Sequence, residues 1–282
     1  MTWREGIVAV DRCGPDGVLL VDKPSGPTSH DVVAAVRRAL PRGTKVGHAG
    51  TLDPFATGLL IVLVGRATRV QRLLLGQPKV YEVEARLGWT SSTGDRDGEL
   101  IETGVVPADP LRLPTGVLEQ RPPAYSAIKI GGRRAYALAR AGEEVEMPLR
   151  SVHVTEFRQN WRADDRAAFT IACSSGTYVR SLIADLHDAY CVELRRTAIG
   201  PFSLEEAGPE PLSIAAALAR VVPVMELDQE TARRLGHGQH PPAPDAAEGT
   251  EGELLCLDAA GLPVALATVT DGLLVPSVGF RA

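Results

Sequence analysis

The run from Gly47 to Leu60, which reads Gly-His-Ala-Gly-Thr-Leu-Asp-Pro-Phe-Ala-Thr-Gly-Leu-Leu, constrains this chain more than any other stretch. It is dense in turn formers, holds one histidine (His48) and one acid (Asp53), and runs straight into the apolar segment 59–64. Its glycines let the backbone turn tightly or approach another molecule closely. A short apolar run bounded by turn signals reads as a buried strand, so Asp53 sits on a loop anchored in the core. Two readings stay open here. Asp53 is a reactive carboxylate, or it is the N-cap of a helix whose first residue is Pro54.

The chain has 282 residues, enough to bury a large core. It contains no apolar run of the roughly 18 residues that a membrane span needs, and the start, Met1 to Glu5, lacks the order of a signal peptide. The four cysteines (Cys13, Cys173, Cys191, Cys256) lie far apart with no CxxC pair. That spacing fits a reduced cytoplasmic protein and argues against a zinc site; no metal is expected. The net charge of −5 is unevenly spread: residues 1–80 hold 11 basic and 6 acidic side chains, and 121–140 hold five basic and none acidic. Such local stripes suit phosphate contact, although a charge run is also the ordinary make-up of a solvated helix face.

Along the chain, 17–21 reads as a strand, Asp22 to Pro27 as a turn, and Thr28 or Ser29 as the cap of a helix carrying Val32, Val33, Val36 and Leu40. A short helix over 67–75 puts Arg66, Arg69 and Arg72 on one side. Lys79 to Leu87 alternates as a half-buried strand with Tyr81 inward. Residues 90–98 read as a polar loop and 105–123 as proline-rich and irregular. A strand over 126–130 and a basic helix over 133–140 follow. Beyond them come strands over 150–158 and 166–172, a helix over 177–190, and a strand over 194–202. Strands and helices mix without a βαβ rhythm, so the fold class is α+β (mixed α/β), with a central mixed or antiparallel sheet flanked by helices. The tail adds a short helix over 213–221, another over 229–235, and three strands near 253–257, 263–269 and 273–279.

Several segments in this order carry a resemblance: Leu19 to Gly26, the loop 47–60, Lys79-Val80-Tyr81, Tyr125 to Lys129, Cys173 to Arg180, and Leu194-Arg195-Arg196. Together they resemble the TruB-type tRNA pseudouridine-55 synthases, from about residue 6 to the end. The resemblance implies a catalytic domain over 1–222, with an RNA-binding insertion around 105–150, and a small, mostly β, PUA-like RNA-binding module over 223–282. It implies isomerisation of uridine 55 in the tRNA T loop to pseudouridine, without a cofactor, by a cytoplasmic monomer that needs no protein partner. Asp53 would be the essential carboxylate, attacking the base or the ribose or removing a ribose proton. Tyr178 would complete proton transfer at C5, and Arg180 would pair with the acid. Tyr81 would stack on the flipped base, with His48, Lys23 and Leu194 also at the substrate.

Extruding a stacked uridine costs a few kcal/mol, and phosphate contacts must offset that. The candidates are Arg66, Arg69, Arg121, Lys129, Arg133 and Arg134, with Tyr125 and Tyr136 interleaved. The chain departs from the family at His187 to Glu193, a connection several residues shorter and without glycine. The alternatives are a non-catalytic tRNA-binding or tRNA-folding protein and a guide-RNA-dependent synthase. A glycoside hydrolase would need two carboxylates, and the matched motifs supply one.

Overall fold

The computed structural model describes residues 16–123, 129–130, 133–134, 147–247 and 249–281, with only the backbone for 129–130 and 133–134. In chain order the first strands are β1 (Gly17–Lys23), β2 (Val46–His48), β3 (Thr57–Val64), β4 (Lys79–Leu87), β5 (Trp89–Ser91), β6 (Leu100–Glu102) and β7 (Gly116–Gln120). Next come β8 (Lys129–Ile130), β9 (Arg133–Arg134), β10 (Arg150–Ala163), β11 (Arg166–Cys173), β12 (Ala189–Ile199) and β13 (Phe202–Ser203). The last four are β14 (Val224–Glu226), β15 (Leu254–Leu257), β16 (Pro263–Thr270) and β17 (Leu273–Gly279). The helices are α1 (Ser29–Ala39), α2 (Gln71–Gly76), α3 (Val179–Ala184), α4 (Ile214–Leu218) and α5 (Gln229–Gly236), with a 3-10 turn over Gly65–Val70 leading into α2.

The main sheet runs β1-β3-β12-β4-β11-β10-β7, with β2 also on β3 and β13 on β12. It is antiparallel except where β3 meets β12 in parallel, so it is mixed, as expected. β3 is the apolar run of the opening loop, and it is buried on both faces. Leu60, Val62 and Val64 pack under Val32, Val33 and Val36 of α1. Leu59, Ile61 and Leu63 pack on the opposite side with Ala67, Val70, Leu74 and α4. Each such side chain contributes about 1.5–3 kcal/mol by leaving water, so β3 is a rigid base for the loop that precedes it. α1 begins at a capping box: Thr28 Oγ1 accepts from the Asp31 N–H at 3.1 Å, and the Thr28 N–H donates to Asp31 Oδ2 at 2.8 Å.

Four expectations need correction. The helix expected over 177–190 is only Val179–Ala184. His187 and Asp188 take positive φ values of 66° and 47°, which reverse the chain without glycine. Ala189 to Cys191 then join β12 opposite Leu87 to Ala85, so tertiary pairing overrides the helical pattern. The region 105–123 is not wholly irregular: 116–120 form β7, paired with β10 through Gly116↔Val154 to Gln120↔Arg150. The loop expected over 90–98 opens inside the β5–β6 hairpin. Arg133 and Arg134 lie in a short hairpin with Lys129 and Ile130 and not in a helix; the rest of the expected helix, with Tyr125 and Tyr136, lies outside the described residues.

The tail forms a second sheet, β14-β15-β16-β17. β14, parallel to β15, is one strand more than the sequence suggested. Ala232 and Leu235 of α5 pack on this sheet with Met225, Leu254, Cys256, Val264 and Leu274. Its opposite face supplies Leu255, Leu266 and Phe280 to the cluster that holds Val18, Leu20 and Leu59. Arg66, Arg69 and Arg72 share one side, as expected, and that side meets the second sheet. Arg66 pairs with Asp16 at 2.7 Å and donates to the Phe280 carbonyl, Arg69 donates to the Gly279 carbonyl at 2.6 Å, and Arg72 pairs with Glu253.

Candidate active site

No helix follows Asp53. Residues 54 and 55 form a bend, the Asp53 carbonyl accepts from the Ala56 N–H at 3.2 Å, and β3 begins at Thr57. The helix-cap reading therefore fails, because the buried β3 draws the chain into extended form at once. The acid-bearing loop is instead fastened by side chains from distant segments. Ser29 Oγ accepts from the Leu52 N–H at 2.8 Å and donates to the Leu52 carbonyl at 3.1 Å. Arg196, 1% exposed, donates to the carbonyls of Gly50 (3.0 Å) and Leu59 (2.7 Å), one at each end of the loop. Gly58, at φ 101°, is required where β3 meets β12: a Cβ there would collide with the Arg196 carbonyl oxygen.

Lys23 is fully buried, and its ammonium donates to the carbonyls of Pro24 (2.8 Å), Pro27 (2.9 Å) and Pro54 (3.2 Å). Burial lowers its pKa to about 8, with Asp53 pulling the other way. All three ammonium protons hold backbone beside Asp53.

Asp53 turns its carboxylate to Arg180. Nε lies 2.9 Å from Oδ2, and Nη2 donates to Oδ1 at 3.1 Å. Arg180 is 3% exposed and is itself held from behind: Nη1 donates to the Thr93 carbonyl at 2.6 Å and to Asp95 Oδ2 at 3.2 Å. Asp95 Oδ1 in turn accepts from Thr93 Oγ1 at 2.6 Å and the Asp97 N–H at 3.1 Å. The resulting row, Asp53–Arg180–Asp95, has one cation between two acids. Burial raises the Asp53 carboxyl above the ordinary aspartate value, and Arg180 is the largest influence opposing it. The Asp53 side chain still keeps 34% of its surface open.

Tyr81 lies inward on β4 in the same cluster as Leu52 and Phe55, which flank Asp53. Burial raises its phenol pKa, and the Arg196 guanidinium, hydrogen-bonded to it, pulls it down. Leu194 on β12 belongs to that cluster, opposite Val83. His48 ends β2 and stacks edge-on to His30 at 6.1 Å. Burial, then His30, depress its pKa, which keeps the ring neutral at pH 7 and unsuited to giving up a proton. Tyr178 caps α3 two residues before Arg180, and the Gln120 amide grips its backbone.

Residues 37–179 match the family model described as TruB family pseudouridylate synthase (N terminal domain). The chain is 44% identical to tRNA pseudouridine synthase B of Thermobifida fusca (strain YX), over 94% of this chain and 98% of that protein. It belongs to the TruB family. The TruB chain is also 41% identical to tRNA pseudouridine synthase B of Corynebacterium aurimucosum, over 89% of its own length and 91% of the relative's. Among solved structures it is similar to a Cbf5-Nop10-Gar1 complex (TM-score 0.68, 23% identity, 100% of this chain and 88% of that one). A second similar structure is an H/ACA RNP bound to a substrate RNA containing 2'-deoxyuridine (TM-score 0.69, 22% identity, with the same coverage). At that identity the likeness is one of fold. It extends through the tail sheet, which is the PUA-like module of this α+β enzyme, a pseudouridine synthase.

Of the expected site residues, the TruB fold brings Asp53, Arg180, Tyr81, Tyr178, Lys23 and Leu194 to one region, with His48 at the start of the loop. Arg121 lies apart at the end of β7, its Nη1 on the Met147 carbonyl at 2.9 Å. Lys129, Arg133 and Arg134 are described by backbone alone. Ser29, Asp95, Gln120 and Arg196 escaped the sequence reading. Arg196 stood in a quoted motif and Ser29 beside a cap, so each had a weak signal. Asp95 and Gln120 had none, since both lay in stretches read as loop. Among the described residues no group of three His, Cys, Asp or Glu is placed to hold a metal, and no helix is long and apolar enough to cross a membrane.

Proposed function

We propose that this enzyme is a stand-alone tRNA pseudouridine synthase that isomerises uridine 55 in the T loop, with Asp53 as its essential carboxylate. The observation that carries the reading is the Asp53–Arg180 pair: a carboxylate fixed by two guanidinium nitrogens at 2.9 and 3.1 Å, on a side chain with a third of its surface open. The names of the 41–44% identical relatives supply the tRNA substrate. The target uridine is flipped from its loop. Tyr81 stacks on it, His48 fills part of the gap it leaves, and Leu194 lines the apolar wall.

Asp53, held ionised by Arg180, drives cleavage of the N1–C1′ bond. The base rotates, C5 joins C1′, and Tyr178 takes part in moving the proton from C5. Atoms balance without a co-reactant, since the product is an isomer. Lys23 keeps the Asp53 loop in place. Arg121, Lys129, Arg133 and Arg134 contact phosphates of the T arm, with Arg66 and Arg69 beside the C-terminal module, residues 223–282, that steadies the rest of the tRNA. The protein works as a cytoplasmic monomer.

The test is incubation of the purified protein with unmodified tRNA, followed by mapping of pseudouridine. Product at position 55 without guide RNA is expected. Binding without product would favour a tRNA-folding protein, and product only with an added guide RNA would favour a guide-dependent synthase.

A further inference from the structure

Gln120 ends β7, the outermost strand of the main sheet. The residue is 4% exposed, and its side chain is paired with the backbone of one residue. Oε1 accepts from the Tyr178 N–H at 2.7 Å, and Nε2 donates to the Tyr178 carbonyl at 2.9 Å. A side chain thus makes the two-bond pattern that a residue of an antiparallel strand would make. Tyr178 is the N-cap of α3 and has no side-chain cap bond of its own. Its carbonyl also accepts from the N–H groups of Ser181 (3.1 Å) and Leu182 (3.3 Å).

Gln120 therefore fixes the peptide planes on both sides of Tyr178. Those planes set the direction of the Tyr178 ring and the start of α3, from which Arg180 reaches Asp53. Two neighbouring bonds reinforce the junction. Ser181 Oγ donates to the Arg121 carbonyl at 3.2 Å, and Arg121 Nη1 donates to the Met147 carbonyl at 2.9 Å. The chain leaving β7 at Arg121 and the chain returning at Met147 are thus tied to each other and to the first turn of α3.

We infer that Gln120 is a positioning residue for the isomerisation: it sets the orientation of the Tyr178–Arg180 arm against Asp53 from the junction where the 121–147 segment leaves the sheet. This rests on the roles proposed above for Tyr178 and Arg180. A misplacement of about 1 Å in such an arm is enough to slow a reaction about 100-fold, while contacts that bind RNA elsewhere are left intact.

The test uses Gln120→Ala and Gln120→Glu in the full chain, with single-turnover rates and tRNA dissociation constants measured separately. Both variants should lose about 10- to 100-fold in rate at pH 8 and bind tRNA as the wild type does. Glutamate adds a readout that mere destabilisation would not give. Ionised, it accepts from the Tyr178 N–H but opposes the carbonyl; protonated, it donates to that carbonyl and restores the pair. The Gln120→Glu rate relative to wild type should recover as pH falls from about 8 to about 5.5, since a buried carboxylic acid titrates high, whereas the Gln120→Ala ratio stays flat. Wild-type rates in both variants, weaker tRNA binding at unchanged rate, or parallel pH ratios for the two would overturn the inference. Absence of product from the wild-type protein would instead reject the proposed function on which it rests.

Discussion

Arg180 and Asp53 meet side-on, with Nε 2.9 Å from Oδ2 and Nη2 3.1 Å from Oδ1, although 127 positions separate them in the chain. Asp95, 3.2 Å behind the same guanidinium, prevents Arg180 from following Asp53 outward. A planar fork held at both ends orients a carboxylate far better than a lysine would. The geometry leads to the following expectations.

Asp53→Asn keeps the size of the side chain and removes its charge. Product formation should fall by about 1000-fold or more, with tRNA affinity within about threefold of wild type. Rapid-quench assays and filter binding measure the two. A near-normal rate in this variant would remove Asp53 from the chemistry.

The pH profile should show an acid limb displaced upward. The proposed reactive form of Asp53 is ionised, and burial raises its pKa above the ordinary 3.8, so activity should fall as pH drops through a value above 3.8. Arg180 opposes that rise, and Arg180→Met should shift the limb to still higher pH while lowering the plateau. Removing the cation also strands two acids near each other, which costs about 3–5 kcal/mol; urea unfolding reads this. An unmoved acid limb in Arg180→Met would mean that another group governs it.

Lys23→Met takes the ammonium donor from the carbonyls of Pro24, Pro27 and Pro54, of which Pro54 keeps the Gly26 N–H at 2.8 Å, and should cost about 1–3 kcal/mol at pH 7. The pH dependence carries a sign. Lys23 titrates near 8 in the fold against 10.5 when free, so between those values the unfolded chain binds more protons and stability due to this group rises with pH. Lys79, also lowered to about 8, adds the same trend. Urea midpoints at pH 7 and pH 9.5 should therefore show a smaller alkaline gain in Lys23→Met than in the wild type, because one of the two groups is gone.

Gly58→Ala places a methyl group against the Arg196 carbonyl at φ 101°, and the parallel contact of β3 with β12 must open. The loss should be about 2–4 kcal/mol, read by urea unfolding. Gly26 and Gly43, also at positive φ but with nothing within 4 Å of a Cβ, should cost less when changed to alanine.

Tyr81→Phe removes the hydroxyl beside Arg196 and keeps the ring, whereas Tyr81→Ala removes the ring from a packed cluster. Alanine should weaken single-turnover capture of the flipped base by about 1–3 kcal/mol more than phenylalanine does. Equal behaviour of the two would argue that the ring does not stack.

Much of this protein is local and was therefore legible in the sequence. The apolar run 59–64, the alternation 79–87 and the Thr28 cap depend on neighbours two to four positions apart, and each forms as read. The loop that carries Asp53 also stood out, because it is dense in glycine and turn formers. What the tertiary structure alone decided is how that loop is held. Ser29, Lys23, Arg196, Arg180 and Asp95 are polar side chains from separate segments, and no spacing rule connects them. They are brought together because burial leaves loop carbonyls, loop N–H groups and a carboxylate that need partners, and only the folded sheet says which side chains are within reach. The same cause ended the helix at Ala184 and turned 189–193 into strand: pairing with β4 outweighs local preference when an open edge is at hand.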